Sequence, residues 1–152
     1  MQLSDEGCKF IKAREGLRLR AYQCGAGKWT IGYGTTKDVS PGMEITKEEA
    51  EELFLKDILD IEDEINQLIK INLNDNEYTA IVSFIYNIGI TRFRTSTLLK
   101  LLNQNNKQLV ANEFIRWRFK TIPSPISPNE FVKVESKGLL TRRHLEKNLF
   151  TS

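Results

Sequence analysis

Hydrophobic and polar positions change their period twice along this chain. Cys8, Ile11 and Glu15 lie three and four apart behind Ser4, Asp5 and Glu6. That spacing predicts a first helix with Ser4 as its N-cap and two anions at its positive end. Leu3 and Cys8 flank the cap as a hydrophobic staple. Gly16 is a natural terminator, which places Glu15 at the C-terminal end of the helix. The period then becomes two. Leu17-Arg18-Leu19-Arg20-Ala21-Tyr22 and Lys28-Trp29-Thr30-Ile31-Gly32-Tyr33-Gly34 flank Gly25-Ala26-Gly27, the pattern of a β-hairpin in a small antiparallel sheet. Pro41-Gly42 closes this segment with a turn.

From Thr46 the helical period returns. Thr46-Lys47-Glu48-Glu49 reads as a capping box, followed by Ala50, Leu53, Phe54, Ile58, Ile61, Ile65, Leu68 and Ile69. This predicts one long amphipathic helix to about Lys70. Further helices are predicted over 76–88, 96–102, 107–117 and 139–149, with Gly89 ending the first of these and Gly138 preceding the last. Residues 121–137 break the pattern. Pro123, Pro125 and Pro128 precede Phe131-Val132-Lys133-Val134-Glu135, read as a Pro-restricted loop and a short strand inserted as a loop or hairpin. The expected class is α+β, mostly helical. A small N-terminal β-sheet lobe (about 1–45) leads through a connecting helix (46–71) to a C-terminal helical lobe (72–152). A cleft between lobes is the default place for a site.

Composition narrows the function classes. A chain of 152 residues buries a self-sufficient core without metal or disulfide staples. No apolar run approaches the ~20 residues of a membrane-spanning helix, and the opening residues are too polar for a signal peptide. Two cysteines and one histidine make a zinc site unexpected; no cofactor or metal is expected. A single Cys8–Cys24 bond is the one disulfide the sequence permits. The net charge of +2 conceals an acidic stretch from Met43 to Ile65, with ten acidic residues and two lysines. The rest of the chain is basic, as suits a polyanionic partner, although a solvated helix face explains the acidic stretch equally. No helix-turn-helix or RNP-like motif accompanies the basic surplus, so a nucleic-acid partner is not expected. Membrane insertion is not expected either, and the chain is read as a monomer.

Glu15 is the first candidate for chemistry. At a helix C-terminus it faces the negative end of the dipole, which disfavours ionisation, as a general acid requires. Cys24 and Thr30 flank the hairpin turn, where a thiol and a hydroxyl near a carboxylic acid would position a water. His144 lies on a predicted helix amid Arg142, Arg143 and Glu146 and reads as a surface residue, which disfavours a cysteine–histidine hydrolase. Arg142 and Arg143 are placed either to hold Glu15 or peptide carboxylates, or to pair with Glu146 three and four residues on. Trp117 and Tyr22 read as packing residues.

Glu15-Gly16-Leu17-Arg18-Leu19-Arg20-Ala21-Tyr22, then Cys24, then Trp29-Thr30-Ile31-Gly32-Tyr33-Gly34 closely resembles the phage lysozyme family (glycoside hydrolase family 24). Phe84-Ile85-Tyr86-Asn87-Ile88-Gly89, Ser96-Thr97-Leu98-Leu99 and Gly138-Leu139-Leu140-Thr141-Arg142-Arg143-His144-Leu145-Glu146 extend the resemblance over nearly the whole chain except 121–137. It implies a lysozyme-like two-lobe fold that hydrolyses the β-1,4 bond between N-acetylmuramic acid and N-acetylglucosamine in peptidoglycan. Glu15 matches the acid that protonates the leaving oxygen. Cys24 falls where members carry Asp or Cys, and Thr30 on the third member of the triad, the two positioning or activating water. Tyr33, Asn87 and Arg143 fall at substrate-binding positions. The implied location is synthesis in a bacterial cytoplasm and action on the cell wall after release through a holin or secretion system.

Three departures stand out, one of them the 121–137 segment, longer than the family's usual link and read as a surface loop or a flap beside the cleft. Cys24 is a weaker base than a carboxylate when neutral and a stronger nucleophile as thiolate. Thr35 occupies the place after Gly34 where many members carry histidine, leaving the hydrogen bonding there open. A catalytically weak or dead wall-binding module is the alternative reading, with Cys24 its one supporting feature.

Overall fold

Ser4 starts the first helix, α1 (Asp5–Glu15): its hydroxyl accepts the Gly7 N–H at 3.0 Å. Gly16 ends the helix with φ 70°, its N–H donating to the Lys12 carbonyl. In this computed structural model, which describes residues 1–25 and 27–152, the chain divides into two units, Met1–Gln67 and Leu68–Ser152.

In the first unit, β1 (Arg18–Gln23) pairs antiparallel with β2 (Trp29–Gly32), with Tyr22 opposite Thr30 and Gln23 opposite Trp29. A register irregularity lies between Arg18 and Tyr22. The other edge of β1 takes an extended segment through Glu44: Ala21 N–H donates to the Met43 carbonyl and Ile45 N–H to that of Leu19, both at 2.9 Å. Ile31 and Thr35 exchange two backbone hydrogen bonds around a tight turn. Gly32 permits that turn, with φ 66°, and a Cβ there would sit 3.5 Å from the Ala50 Cβ. The turn thus lies directly against α2 (Lys47–Leu68).

Thr46 and Glu49 form the expected reciprocal cap of α2, both bonds at 3.1 Å. Ala50, Phe54, Ile58 and Ile65 are its buried stripe, completed by Ile11 and Ile31. Each fully buried Ile or Phe contributes ~1.5–3 kcal/mol of transfer free energy. Glu62 is buried in the same helix and accepts the Leu3 N–H at 2.8 Å, tying the N-terminus to it.

The second unit is built around α3 (Asp75–Ile88), which starts with an Asn74–Glu77 capping box and ends at Gly89, φ 91°. Glu77 through Ile85 are all buried. Phe84 stands edge-on to Phe114 and Trp117, both at 5.4 Å, and to Phe93 at 6.4 Å. Phe93 belongs to α4 (Ile90–Arg94), which the hydrophobic period does not reveal. It is five residues long, has one buried residue and lacks a side-chain cap. Helices α5 (Thr97–Asn103) and α6 (Lys107–Ile115) follow, with Ser96 and Asn106 as caps. The second of these ends two residues before the predicted Trp117.

Of the loop and the hairpin expected for the Pro-containing segment, the chain forms the hairpin, with an additional strand: β3 (Phe119–Pro123) pairs in register with β4 (Phe131–Glu135). Pro123 closes β3 opposite Phe131, at the end of a two-stranded ribbon where its missing N–H costs little. Gly138 does not precede the last helix. It lies in the first turn of α7 (Lys137–Phe150), whose cap is Ser136, accepting the Leu139 N–H at 3.2 Å. Neither Cys8 nor Cys24 is disulfide-bonded. Burial pushes the Cys8 thiol up against the pull of Lys12, the condition of an inert thiol. Among the described residues, no helix is long and apolar enough to cross a membrane.

Candidate active site

Glu15 is the last residue of α1 and is half-buried. Gly16 turns the chain from that helix into β1, so the carboxyl stands at the junction of helix and hairpin. Cys24 follows β1, half-buried, and Thr30 lies in β2, only 4% exposed. The hairpin loop joins the last two through a single acceptor. The Cys24 N–H donates to the Lys28 carbonyl at 2.9 Å, and the Thr30 hydroxyl donates to the same oxygen at 3.1 Å. With its proton committed there, the Thr30 oxygen keeps lone pairs for a donor such as water.

Tyr33, expected to meet substrate, is only 8% exposed. Its ring stands edge-on to Phe54 at 5.8 Å, and its hydroxyl donates to Glu51 Oε1 at 3.1 Å. Lys12 Nζ donates to the other Glu51 oxygen at 2.5 Å and lies 5.4 Å from the Tyr33 ring centroid. Burial, then the bond to Glu51, raise the Tyr33 hydroxyl pKa. The Lys12 bond lowers that of Glu51. Sequence reasoning missed Glu51, because one carboxylate among ten acidic residues between Met43 and Ile65 carries no distinguishing signal.

The bonding left open at Thr35 is supplied by Asp57. Thr35 is buried, and its hydroxyl donates to Asp57 Oδ2 at 2.7 Å. Burial raises the Asp57 pKa, partly offset by the Thr35 bond.

In the second unit, Asn87 is exposed near the end of α3 while Arg143 is fully buried. Arg143, expected at a substrate-binding position, is engaged within the protein: its Nη2 donates to Asn87 Oδ1 at 2.6 Å and its Nε lies 3.0 Å from Glu146 Oε1. Arg142 Nε reaches Glu146 Oε2 at 3.3 Å, and Ser83 donates its hydroxyl to that oxygen at 2.6 Å. Of the two placements open to the arginine pair, the structure adopts pairing with Glu146. Burial raises the Glu146 carboxyl pKa, opposed by Arg143 and then Arg142. His144, as expected, is exposed.

Glu15 thus closes a helix that leads directly into the hairpin carrying Cys24 and Thr30. Residues 12–146 match the family described as phage lysozyme. The chain is 43% identical over 152 residues to the endolysin of Acyrthosiphon pisum secondary endosymbiont phage 1, covering 100% of this chain and 99% of that one. The solved endolysin from Escherichia coli O157:H7 phage FAHEc1 matches with a TM-score of 0.86 at 41% identity, covering 99% and 93% of the two chains. The muramidase domain of SpmX from Asticaccaulis excentricus matches with a TM-score of 0.86 at 34% identity, covering 99% and 98%. The chain belongs to the phage lysozyme family and is a hydrolase of bacterial peptidoglycan.

Proposed function

We propose that this lysozyme cleaves the β-1,4 bond between N-acetylmuramic acid and N-acetylglucosamine, with Glu15 as general acid. Glu15 gives its proton to the leaving glycosidic oxygen. A water held by Thr30 and Cys24 attacks the anomeric carbon, and its proton passes to Cys24 when that residue is a thiolate. The observation that carries this reading is the Lys28 carbonyl shared by Cys24 and Thr30. It fixes the thiol-bearing backbone and turns the hydroxyl oxygen into an acceptor for water. Asn87, oriented by Arg143, offers its amide N–H groups to substrate. Tyr33, held by Glu51, braces the turn after β2. The protein is proposed to act as a monomer on the wall after release through a holin or secretion system.

The test is clearing of purified peptidoglycan by wild type and Glu15→Gln, with reducing-end release measured alongside. Wild type should clear and release reducing ends, and Glu15→Gln should do neither. The presence of Cys24 at the water-activating position favours one second reading, a wall-binding module without turnover. Binding without reducing-end release by both proteins would establish that reading instead.

A further inference from the structure

Lys12, Tyr33 and Glu51 come from three separate elements of the first unit and meet in one place. Lys12 lies in α1, Glu51 near the start of α2, and Tyr33 in the turn that follows β2. The two Glu51 oxygens are divided between the other residues. Oε2 accepts from Lys12 Nζ at 2.5 Å, and Oε1 accepts from the Tyr33 hydroxyl at 3.1 Å. The Lys12 ammonium also lies 5.4 Å from the ring centroids of both Tyr33 and Phe54. Its charge is therefore held among a carboxylate and two aromatic rings. Glu51 is itself well anchored, because its neighbour Ala50 lies against Gly32 in the same turn.

The place of this bridge decides what it can do. Lys12 precedes Glu15 by three residues, so the two side chains are neighbours on the helix surface. The Lys12 carbonyl accepts the Gly16 N–H at 3.0 Å, the bond that ends the helix. Lys12 thus holds the last turn of α1 through its backbone and ties that turn to α2 through its side chain. At the other end, Tyr33 follows Thr30 by three residues. Ile31 and Thr35 close the turn around Tyr33 with two backbone bonds of 2.9 Å. A turn held at Tyr33 cannot roll without carrying Thr30 with it. Acid and water must meet the same glycosidic bond, and a displacement of ~1 Å can cost ~100-fold in rate.

We propose that Lys12, Glu51 and Tyr33 form a positioning clamp that fixes the general acid Glu15 relative to the water-holding Thr30, with Glu51 as the shared link. The proposal rests on the roles given to Glu15 and Thr30 above. The three residues act through those two and do not themselves meet the reacting atoms. Opening the clamp therefore lowers kcat and leaves KM in place.

The test is steady-state reducing-end release from soluble peptidoglycan fragments by the full chain, with thermal midpoints measured alongside. Tyr33→Phe keeps the ring against Phe54 and removes one hydroxyl, so its midpoint should move by a few degrees at most. Its kcat should fall ~10–100-fold, with KM unchanged. Lys12→Met should show the same split, and Lys12→Arg, which keeps a cation for Glu51, should recover most of the loss. Either single change opens the clamp, so Lys12→Met/Tyr33→Phe should lose no more than the worse single variant. Lys9→Gln removes an exposed cation from the same helix and should match wild type. A raised KM with unchanged kcat in Tyr33→Phe would make Tyr33 a substrate contact and overturn the clamp. Multiplied losses in the double variant would overturn it too. Should Lys12→Met fail to fold, Tyr33→Phe and Lys12→Arg carry the test. Turnover that survives Glu15→Gln would sink the general-acid reading. Turnover lost in Glu15→Gln beside undiminished kcat in Tyr33→Phe would sink the clamp alone.

Discussion

Cys24 and Thr30 donate to one oxygen, the Lys28 carbonyl, at 2.9 and 3.1 Å. One contributes its backbone and the other its side chain, so substitutions at the two positions have different consequences. Thr30→Val removes a hydroxyl while the Cys24 bond to Lys28 persists. The expected stability loss is ~1 kcal/mol, with kcat down by ~100-fold or more if the hydroxyl holds the water. Thr30→Ser should retain most activity. At position 24 the backbone bond survives any replacement, so Cys24→Ala should keep its thermal midpoint and lose turnover. Full activity in Cys24→Ala would remove Cys24 from the mechanism.

Glu51 carries a pH prediction. Its folded pKa is lowered, first by the Lys12 bond, so its stabilising contribution is complete above the unfolded carboxylate value of ~4.3. The contribution is lost as pH falls through the lower folded value. Thermal midpoints of wild type and Glu51→Gln should therefore differ at pH 7 and converge on acidification below pH ~4. A constant difference across that range would mean that the bond geometry matters and the charge does not.

Asp57 has the opposite sign. Burial raises its folded pKa, so the native state binds its proton more tightly than the unfolded chain. Stability then falls as pH rises from the unfolded value of ~3.9 through the folded one. Asp57→Asn keeps an acceptor for Thr35 and abolishes the fall. The variant should equal or exceed wild type in thermal midpoint at pH 7, with the gap closing in acid. Marked destabilisation at pH 7 would contradict this.

Arg143 is fully buried against Glu146. Arg143→Ala deprives a buried carboxylate of one of its two guanidiniums, at a cost of about 3–5 kcal/mol. Denaturant unfolding should show that loss, and pairing it with Glu146→Gln should recover part of it. Asn87→Ala removes the acceptor of the buried Arg143 Nη2, so it should cost ~1–3 kcal/mol of stability and raise KM on peptidoglycan. Asn87→Asp keeps that acceptor and loses the amide N–H donors, so it should hold the unfolding midpoint and still raise KM. An unchanged KM in Asn87→Asp would mean that Asn87 serves the fold and not the ligand.

Much of the fold was legible because its signals are local. Ser4, Gly16, the Thr46–Glu49 box and Gly89 each act through hydrogen bonds or dihedrals within a few residues, and each element they bound is present. The hairpin carrying Cys24 and Thr30 was equally plain from its period of two. What stayed hidden depends on distant partners. Spacing of three and four makes Arg143, Arg142 and Glu146 look like a surface ion pair, and only packing around Phe84 shows that the group is buried. Tyr33 alternates as a strand residue does, yet its hydroxyl is claimed by Glu51, eighteen residues on. β3 was masked by Pro123, whose ring discourages a strand assignment except at a ribbon end. α4 was too short to show a period.

The continuous burial of α3 from Glu77 to Ile85 has a consequence for motion. Every face of that stretch is covered, so no partial opening exposes its amides without removing neighbouring helices. Its backbone protons should exchange with solvent deuterium only through opening of the whole second unit, on the timescale of global unfolding. Amides of the β3–β4 ribbon, with Phe119, Phe131 and Val132 exposed, should exchange far sooner. The hairpin is thereby free to adjust while the helix behind it holds a fixed frame.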